Sequence, residues 1–139
     1  MARFYGRFEH TLDDKGRLTL PAKFRGQFEH GGYLSGHVDG CLALWTQEEF
    51  ERQAEAMQAR AALSQGGRNL ARLWSSSSID LAADRQGRIS IPAHLRTFAG
   101  LVTDVLVNGA IDRIELWDPA RWAEKVEPEQ QRFTEGTDL

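Results

Sequence analysis

Two short segments of alternating apolar and polar residues open the chain, separated by a turn sequence. Residues 8–12 and 17–20 show the two-residue period of half-buried strands, and residues 13–16 (Asp-Asp-Lys-Gly) combine turn-forming side chains with a glycine. Pro21 follows, where its missing N–H costs nothing at the first position of a helix. The pattern predicts a β-hairpin that leads into a short helix, which ends at residues 31–32 (Gly-Gly).

The rest of the first half predicts two more strands and two helices. Residues 33–38 and 41–45 are apolar segments on either side of Asp39-Gly40, a dipeptide typical of hairpin turns. The predicted order after them is a helix to residue 61 with a capping box formed by Thr46 and Glu49, an interruption at residues 66–67, a helix over residues 68–74, and a polar connector of four serines at residues 75–78.

The second half repeats the first. Residues 13–25 read DDKGRLTLPAKFR and residues 84–96 read DRQGRISIPAHLR, so Asp, Gly, Arg, Pro, Ala and the final Arg recur at a constant offset of 71 residues. Such a repeat indicates one small unit that was built twice. Because halves of about seventy residues are each near the lower limit for an independent core, we expect them to share one core as a pseudo-twofold pair.

The fold class that follows is mainly β with helices (α+β), built from two β-β-α-β-β-α repeats. In the second repeat we expect strands over residues 79–83, 88–91, 105–107 and 111–117, a hairpin turn at Asn108-Gly109, a helix from Pro92 to Gly100, and a last helix that Asp118 caps and Pro128 ends. We assign residues 1–74 to the first repeat, 75–126 to the second, and 127–139 to a loose acidic C-terminal tail.

Composition changes this picture little. Hydrophobic residues make up 41% of the 139 residues and charged residues 27%, as in ordinary globular proteins. The single cysteine, Cys41, lies in an apolar run, which favours buried packing in a reducing compartment. No apolar stretch reaches the length of a membrane span, and the first residues lack the apolar core of a signal peptide. We therefore expect a soluble, cytoplasmic protein without a membrane partner.

The distribution of charge is more informative than its sum. The net charge of −3 does not by itself suggest a nucleic-acid-binding protein. Residues 1–25, however, contain six basic and three acidic side chains, whereas residues 124–139 contain five acidic and two basic ones. Because the local field steers a polyanion, a basic surface in the first repeat can attract nucleic acid despite the acidic tail.

The two turns hold the candidate binding residues. Arg17 and Arg88 each follow a glycine and begin a strand, so a fixed backbone would carry a guanidinium suited to phosphate or to guanine in the major groove. The alternative is that each arginine pairs with the aspartate of its own turn, and spacing does not decide between the two. The predicted DNA-binding set is Lys15, Arg17, Arg85, Arg88, Arg3 and Lys23, and the predicted turn-structuring set is Asp13, Gly16, Asp84 and Gly87.

The two copies differ in charge. Lys15 and Lys23 of the first copy correspond to Gln86 and His94 in the second at the offset of 71 residues, so we expect the first copy to make the stronger contact.

Patterns typical of enzymes and of metal sites are missing from the sequence. The four histidines (His10, His30, His37 and His94) show no ligand spacing, and no phosphate-binding loop, nucleophile elbow or C-x-x-C motif occurs. Asp13 and Asp14 are adjacent carboxylates, but the turn explains them. We expect no catalytic residue, metal, cofactor or small-molecule substrate.

The duplicated motif D-x-x-G-R-[LI]-x-[LI]-P-A-x-[FL]-R, together with the opening FYGRFEHTLDDKGRLTLPAKFR, resembles the MraZ family within the SpoVT-AbrB-like group of DNA-binding domains. The resemblance spans about residues 1–126. It implies a swapped-hairpin (double-split) β-barrel, with two copies in one chain in place of a dimer. It also implies that the key Asp-to-Arg turn falls on Asp13 and Arg17, and again on Asp84 and Arg88.

The function that the resemblance implies is sequence-specific transcriptional regulation. It implies a nucleoid-associated repressor of the division and cell-wall gene cluster, which binds G-rich direct repeats of double-stranded DNA in its own promoter as a homo-oligomeric ring. Two alternatives stay open: an oligomeric protein-interaction or antitoxin-like module without promoter specificity, and an enzyme that acts on nucleic acid.

Overall fold

The computed structural model describes residues 2–136 as two antiparallel sheets with helices around them. The elements are β1 (Arg7–Thr11), β2 (Arg17–Thr19), α1 (Ala22–Arg25), β3 (Gly32–Gly36), β4 (Leu42–Trp45), α2 (Gln47–Ala61), α3 (Gln65–Ser77), β5 (Ile79–Leu81), β6 (Arg88–Ser90), α4 (Ala93–Ala99), β7 (Asp104–Gly109), β8 (Ile114–Trp117), α5 (Pro119–Lys125) and α6 (Gln130–Glu135). Short 3-10 turns cover Gly26–Phe28 and Glu127–Glu129. The predicted α+β class is confirmed, but its description as mainly β is wrong, because α-helices contain more of the described residues than strands do.

The two halves exchange strands. The larger sheet has six strands in the order β1-β7-β8-β4-β3-β5, so β1 of the first half pairs with β7 of the second, and β5 of the second pairs with β3 of the first. The smaller sheet pairs β2 with β6, again one strand from each half. The six-stranded sheet is open, with β1 and β5 at its edges, so the closed barrel implied by the resemblance is not confirmed.

Strand registers follow an approximate twofold axis. Leu18 lies opposite Ile89 in the small sheet, and Ala43 lies opposite Glu115 in the large one. In both cases a residue faces its own counterpart in the repeat, and the sheet order reads the same from either end once the halves are exchanged. The duplication in sequence thus appears as a pseudo-twofold in the strand pairing.

One hydrophobic core serves both halves. A cluster of 18 buried residues takes its members from β2, β3, β4, β6, β7, β8, α1 and α4 and from the segments between elements, and includes Leu18, Leu20, Ile89 and Ile91 at 0–1% exposure. Leu18 and Ile89 point inward from the middle of the two-stranded sheet. Because removing these side chains from water requires both repeats, neither repeat buries its apolar surface alone.

Local capping agrees with the sequence at two helices. The Thr46 hydroxyl accepts a hydrogen bond from the backbone N–H of Glu49 at 3.2 Å, and an Asp118 carboxylate oxygen accepts one from the N–H of Arg121 at 3.1 Å. Both N-caps are confirmed. The reciprocal half of the predicted capping box is wrong, because the Glu49 carboxylate accepts from Arg52 and Gln53 instead.

Two predicted boundaries are wrong in the helical pair. Helix α3 begins at Gln65, with Ser64 as its N-cap accepting from the N–H of Gly67, so the glycine pair lies in the first turn of the helix. The same helix runs to Ser77, and three of the four serines of the supposed connector are therefore helical. The Ser77 and Ser78 hydroxyls bond back to the carbonyl of Trp74, which satisfies them within the last turn.

The second-half hairpin and the C-terminal segment also differ from prediction. Asn108 and Gly109 continue β7, paired with Glu115 and Ile114, and the chain turns at residues 110–113 with Ile111 at a φ of 73°. Pro128 lies in a 3-10 turn that leads into α6, so residues 127–135 are ordered rather than loose. The last acidic residue, Asp138, lies outside the described residues. No helix among residues 2–136 is both long and apolar enough to cross a membrane.

Candidate nucleic-acid interface

The aspartate of the first turn organises that turn. The Asp13 Oδ1 atom accepts hydrogen bonds from the backbone N–H of Lys15 at 2.9 Å and of Arg17 at 2.8 Å, and Oδ2 accepts from Arg17 Nε at 2.7 Å. Gly16 adopts a φ of 74°, which suits glycine because it has no Cβ. The backbone hydrogen bond from Arg17, with that from its side chain, lowers the pKa of Asp13 below its ordinary value.

The second turn has the same geometry. The Asp84 Oδ1 atom accepts from the backbone N–H of Gln86 and of Arg88, both at 2.9 Å, and Oδ2 accepts from Arg88 Nε at 2.8 Å. Gly87 has a φ of 77°. The pKa of Asp84 is lowered as well, first by the backbone hydrogen bond from Arg88. Each pair forms a salt bridge at the surface.

Pairing with the turn aspartate is therefore present, and it leaves part of each arginine available. Asp13 and Asp84 bind only the Nε atoms, and within residues 2–136 the terminal guanidinium nitrogens of Arg17 and Arg88 have no hydrogen-bond partner. Both arginine side chains are 29% exposed. The carboxylate thus holds the guanidinium in one orientation while its outer edge faces solvent.

Both arginines project from the same face of the small sheet. Side chains alternate along a strand, so Arg17 and Arg88 lie on the face opposite to the buried pair formed by Leu18 and Ile89. The register places Arg17 opposite Ser90 and Arg88 opposite Thr19. With strands about 5 Å apart and residues about 3.4 Å apart along each strand, their Cα atoms are separated by about 8 Å.

The last arginine of each motif joins the two copies. Arg25 Nε donates to the carbonyl of Leu20 at 2.9 Å, and its side chain lies against Gly87 of the other copy. Arg96 donates to the carbonyl of Ile91 and lies against Gly16. Sequence analysis found both arginines in the motif without assigning them a role, because only the strand exchange brings each to the opposite turn.

The remaining predicted cations lie in three places. Lys15 and Arg85 are exposed at the tips of the two turns. The Lys23 ammonium lies 5.5 Å from the ring centroids of Phe8 and Phe24. Arg3 lines a shallow cavity with the turn between β7 and β8, and so belongs to a different part of the surface from the tip residues.

Sequence analysis missed a cluster of potential metal ligands on the outer face of the large sheet. The ligand atoms of His37, Cys41 and Glu115 all lie within 4.8 Å of one another. Burial, with the nearby charge of Glu115, raises the pKa of the Cys41 thiol. The H-x-x-x-C spacing of His37 and Cys41 was the available signal for these two ligands. Glu115 comes from the other repeat, and no local sequence pattern predicts that it lies beside them.

Comparison with known proteins gives a consistent result over nearly the whole chain. The family model described as "MraZ protein, putative antitoxin-like" matches residues 3–71 and 78–138. Three relatives, each named transcriptional regulator MraZ, come from Frankia alni (45% identical over 132 residues, 95% of this chain and 92% of the relative), Nocardioides sp. (41% identical, with the same coverage) and Thermomicrobium roseum (37% identical over 124 residues, 89% of this chain and 87% of the relative). With a duplicated turn, a pseudo-twofold pairing and this extent of similarity, the chain belongs to the MraZ family.

Proposed function

We propose that this chain is a sequence-specific DNA-binding transcriptional regulator of the cytoplasm and nucleoid. In this proposal it represses the division and cell-wall gene cluster by binding G-rich direct repeats in its own promoter as a homo-oligomeric ring. The relatives named as transcriptional regulators support the class of function. The observation that carries the proposal is the pair of oriented guanidinium groups on one solvent-facing side of the small sheet.

The arrangement of Arg17 suits guanine. A guanidinium bonded through Nε to a carboxylate can still donate from both terminal nitrogens, and two such donors match the O6 and N7 acceptors of guanine in the major groove. Because Asp13 already restricts the side chain, less rotamer freedom is lost when DNA binds. Arg88 and Asp84 provide the same arrangement.

Phosphate contacts complete the proposed interface. Lys15 and Arg85 are exposed beside the two arginines and would contact the backbone on either side of the bases read. We assign Lys23 to a flanking phosphate contact and Arg3, which lies on a different part of the surface, to a phosphate contact apart from the turn tips. One subunit offers few cations, and several subunits in a ring that meet regularly repeated DNA boxes gain avidity from effective concentration.

Fluorescence anisotropy with labelled DNA tests the proposal. The natural upstream duplex should bind, and a scrambled duplex of the same composition should bind much more weakly at the same salt concentration. Arg17→Ala should reduce affinity for the natural duplex by roughly tenfold or more, since a bidentate base contact contributes about 1–3 kcal/mol. Arg68→Ala, which removes an exposed arginine from α3, is the matched control and should leave affinity unchanged.

Two results would count against the site. One is equal affinity of Arg17→Ala and the unaltered protein, with the oligomer intact by size-exclusion chromatography. The other is equal binding of natural and scrambled duplexes, which would favour the interaction-module alternative.

One surface feature supports that alternative. Val38, Leu73 and Phe98 are 69%, 70% and 48% exposed, respectively, and line one cavity between α3, α4 and the turn after β3. An exposed apolar surface of this kind is typical of a protein contact. In the alternative, this contact is the function and the arginine turns bind acidic protein rather than DNA.

A further inference from the structure

The cluster formed by His37, Cys41 and Glu115 lies at the end of the large sheet where β3 connects to β4, on the face away from the main core. His37 and Cys41 flank the turn between β3 and β4, and the His37 backbone N–H donates to the Cys41 carbonyl at 2.9 Å. Glu115 reaches the same point from β8. A thiol, an imidazole and a carboxylate with ligand atoms within 4.8 Å of one another combine the three side-chain types that bind zinc.

The carboxylate of the cluster is held in place. Glu115 Oε1 accepts from Trp117 Nε1 at 3.0 Å, and Oε2 accepts from Arg113 Nε at 3.0 Å and from a terminal nitrogen of Arg113 at 2.7 Å. Glu115 is 8% exposed and Cys41 is fully buried. A carboxylate oxygen has a second lone pair, so these bonds leave coordination capacity at Glu115.

The turn that carries His37 is held from α5. A terminal nitrogen of Arg121 donates to the carbonyl of Gly40 at 2.8 Å, and Lys125 Nζ donates to the carbonyl of Asp39 at 3.1 Å. These contacts restrain the backbone between His37 and Cys41. Because the fold already restrains these ligands, less conformational entropy is lost when a metal binds, and the affinity for the metal is higher.

A carboxylate also lies beside the imidazole. Asp39 Oδ2 is 3.5 Å from His37 Nδ1, and the Asp39 backbone N–H donates to the same nitrogen at 3.1 Å. The two contacts use different protonation states: Nδ1 accepts from the backbone N–H when it is unprotonated, and it donates to the carboxylate when it carries the proton, as it does in an imidazole whose Nε2 binds a metal. Asp39 is therefore a positioning residue for His37.

The repeat does not require this cluster. With the two Leu-Trp pairs aligned, Cys41 corresponds to Arg113 and Glu115 corresponds to Ala43. By the same alignment His37 corresponds to Gly109, so all three positions of the cluster differ from their counterparts and the cluster has no twofold mate. Nearby, Asn108 lies directly across β7 and β8 from Glu115, and its buried Nδ2 atom has no hydrogen-bond partner within the described residues. A buried unpaired amide next to the cluster marks hydrogen-bonding capacity that the protein itself leaves unused.

We propose that His37, Cys41 and Glu115 bind a borderline divalent cation of the Zn²⁺ class. The chemistry favours Zn²⁺ or Co²⁺ over Mg²⁺ and Ca²⁺, because thiolate and imidazole are poor ligands for hard cations. As the sulfur–metal bond forms, the thiol proton leaves to solvent. Zinc bonds are about 2.0–2.3 Å long. The ligand atoms must therefore move by about 1 Å, through side-chain rotation, to surround the ion. The ion would connect the first repeat to the second.

Cobalt titration of the full-length, untagged, chelator-treated protein tests this proposal. We expect one equivalent of Co²⁺ to produce a near-ultraviolet thiolate-to-cobalt band and visible bands of a four-coordinate ion, and added Zn²⁺ to abolish them. Cys41→Ser should lose the near-ultraviolet band, and His37→Ala should weaken Co²⁺ binding at least tenfold. His30→Ala, a control at an exposed position outside the cluster, should match the unaltered protein.

Thermal unfolding with and without Zn²⁺ provides a second readout. The unaltered protein should unfold at a higher temperature in Zn²⁺, and His37→Ala should not, although circular dichroism shows it folded. His37 decides the question if Cys41→Ser fails to fold, because its side chain is 20% exposed and its removal leaves the core intact. The proposal fails if the unaltered protein gives no thiolate band, or if Cys41→Ser and His37→Ala bind Co²⁺ as it does, which would indicate adventitious binding at the surface.

Discussion

The turn at residues 13–17 and the turn at residues 84–88 share one geometry and differ in charge. In both, an aspartate accepts two backbone hydrogen bonds and one from arginine Nε, with distances that agree within 0.1 Å. The two residues between the aspartate and the glycine are Asp-Lys in the first turn and Arg-Gln in the second. The geometry thus depends on the aspartate, the glycine and the arginine. The intervening side chains face solvent, so they can differ in charge without changing the turn.

In the proposed function, this difference bears on which copy would bind DNA more strongly. Lys23 lies over aromatic rings rather than at the turn tip, so it adds less to the first turn than its sequence position suggests. The first turn contains two acidic and two basic side chains, and the second contains one acidic and two basic ones. The local charge therefore favours the second turn, whereas the count of basic residues across the whole motif favours the first.

The largest expected effect comes from the pair of side chains on the pseudo-twofold axis. Leu18→Ala and Ile89→Ala should each lower the free energy of unfolding by about 2–5 kcal/mol, because each removes a fully buried side chain. Since the two face each other across β2 and β6, the double variant should lose less than the sum. Urea denaturation of all three proteins measures this. Strict additivity would show that the two copies do not share a packing unit here.

Alanine at the turn glycines should have the next largest effect. Gly16→Ala and Gly87→Ala each force a Cβ into a positive-φ conformation and against the arginine of the other copy, Arg96 or Arg25. We expect each to lower the free energy of unfolding by about 1–3 kcal/mol, from backbone strain and a weakened arginine-to-carbonyl hydrogen bond. Thermal denaturation should show similar losses for the two. A large loss at one glycine and none at the other would contradict the equivalence of the two contacts.

Acid should weaken both turns in the same way. The folded-state pKa values of Asp13 and Asp84 are lowered, so each stabilises the fold above the unfolded-state pKa of about 3.9, and this contribution is lost as pH falls through the folded-state pKa. Asp13→Asn and Asp84→Asn should each be less stable at pH 7 and lose less stability between about pH 5 and pH 2. Chemical denaturation at several pH values tests this. An unchanged pH profile in both variants would show that neither carboxylate is stabilised by its turn.

The smallest effect should separate the two copies at the DNA. Lys15→Ala and Arg85→Ala should each reduce the slope of log affinity against log salt by about one, because each removes one phosphate contact. At fixed salt we expect the larger loss from Arg85→Ala, contrary to the expectation from the basic residues of the whole motif, since Asp14 lies next to Lys15 in the chain and offsets its charge. Anisotropy at four salt concentrations measures both quantities. A larger loss from Lys15→Ala would instead place the stronger contact in the first copy.

Local elements were predictable wherever neighbours in sequence determine them. The turn at residues 13–16 needs only an aspartate and a glycine at the right spacing, and the caps at Thr46 and Asp118 need only one side-chain oxygen before a helix. One prediction failed where longer-range pairing competes with local preference. Asn108-Gly109 is a strong turn sequence, yet it stays in β7 because both residues pair with β8.

The amino-acid sequence by itself determined that one hairpin-and-helix unit occurs twice, that each copy presents an arginine after a glycine turn, and which family the chain resembles. These are properties of short segments and of their repetition. Only the tertiary structure decided that β1 and β5 cross to the other half, that Arg25 and Arg96 each rest on the opposite turn, and that Glu115 meets His37 and Cys41. The physical reason is that a half of this size cannot bury its own apolar face, and the exchange of strands that completes the core also brings distant residues together.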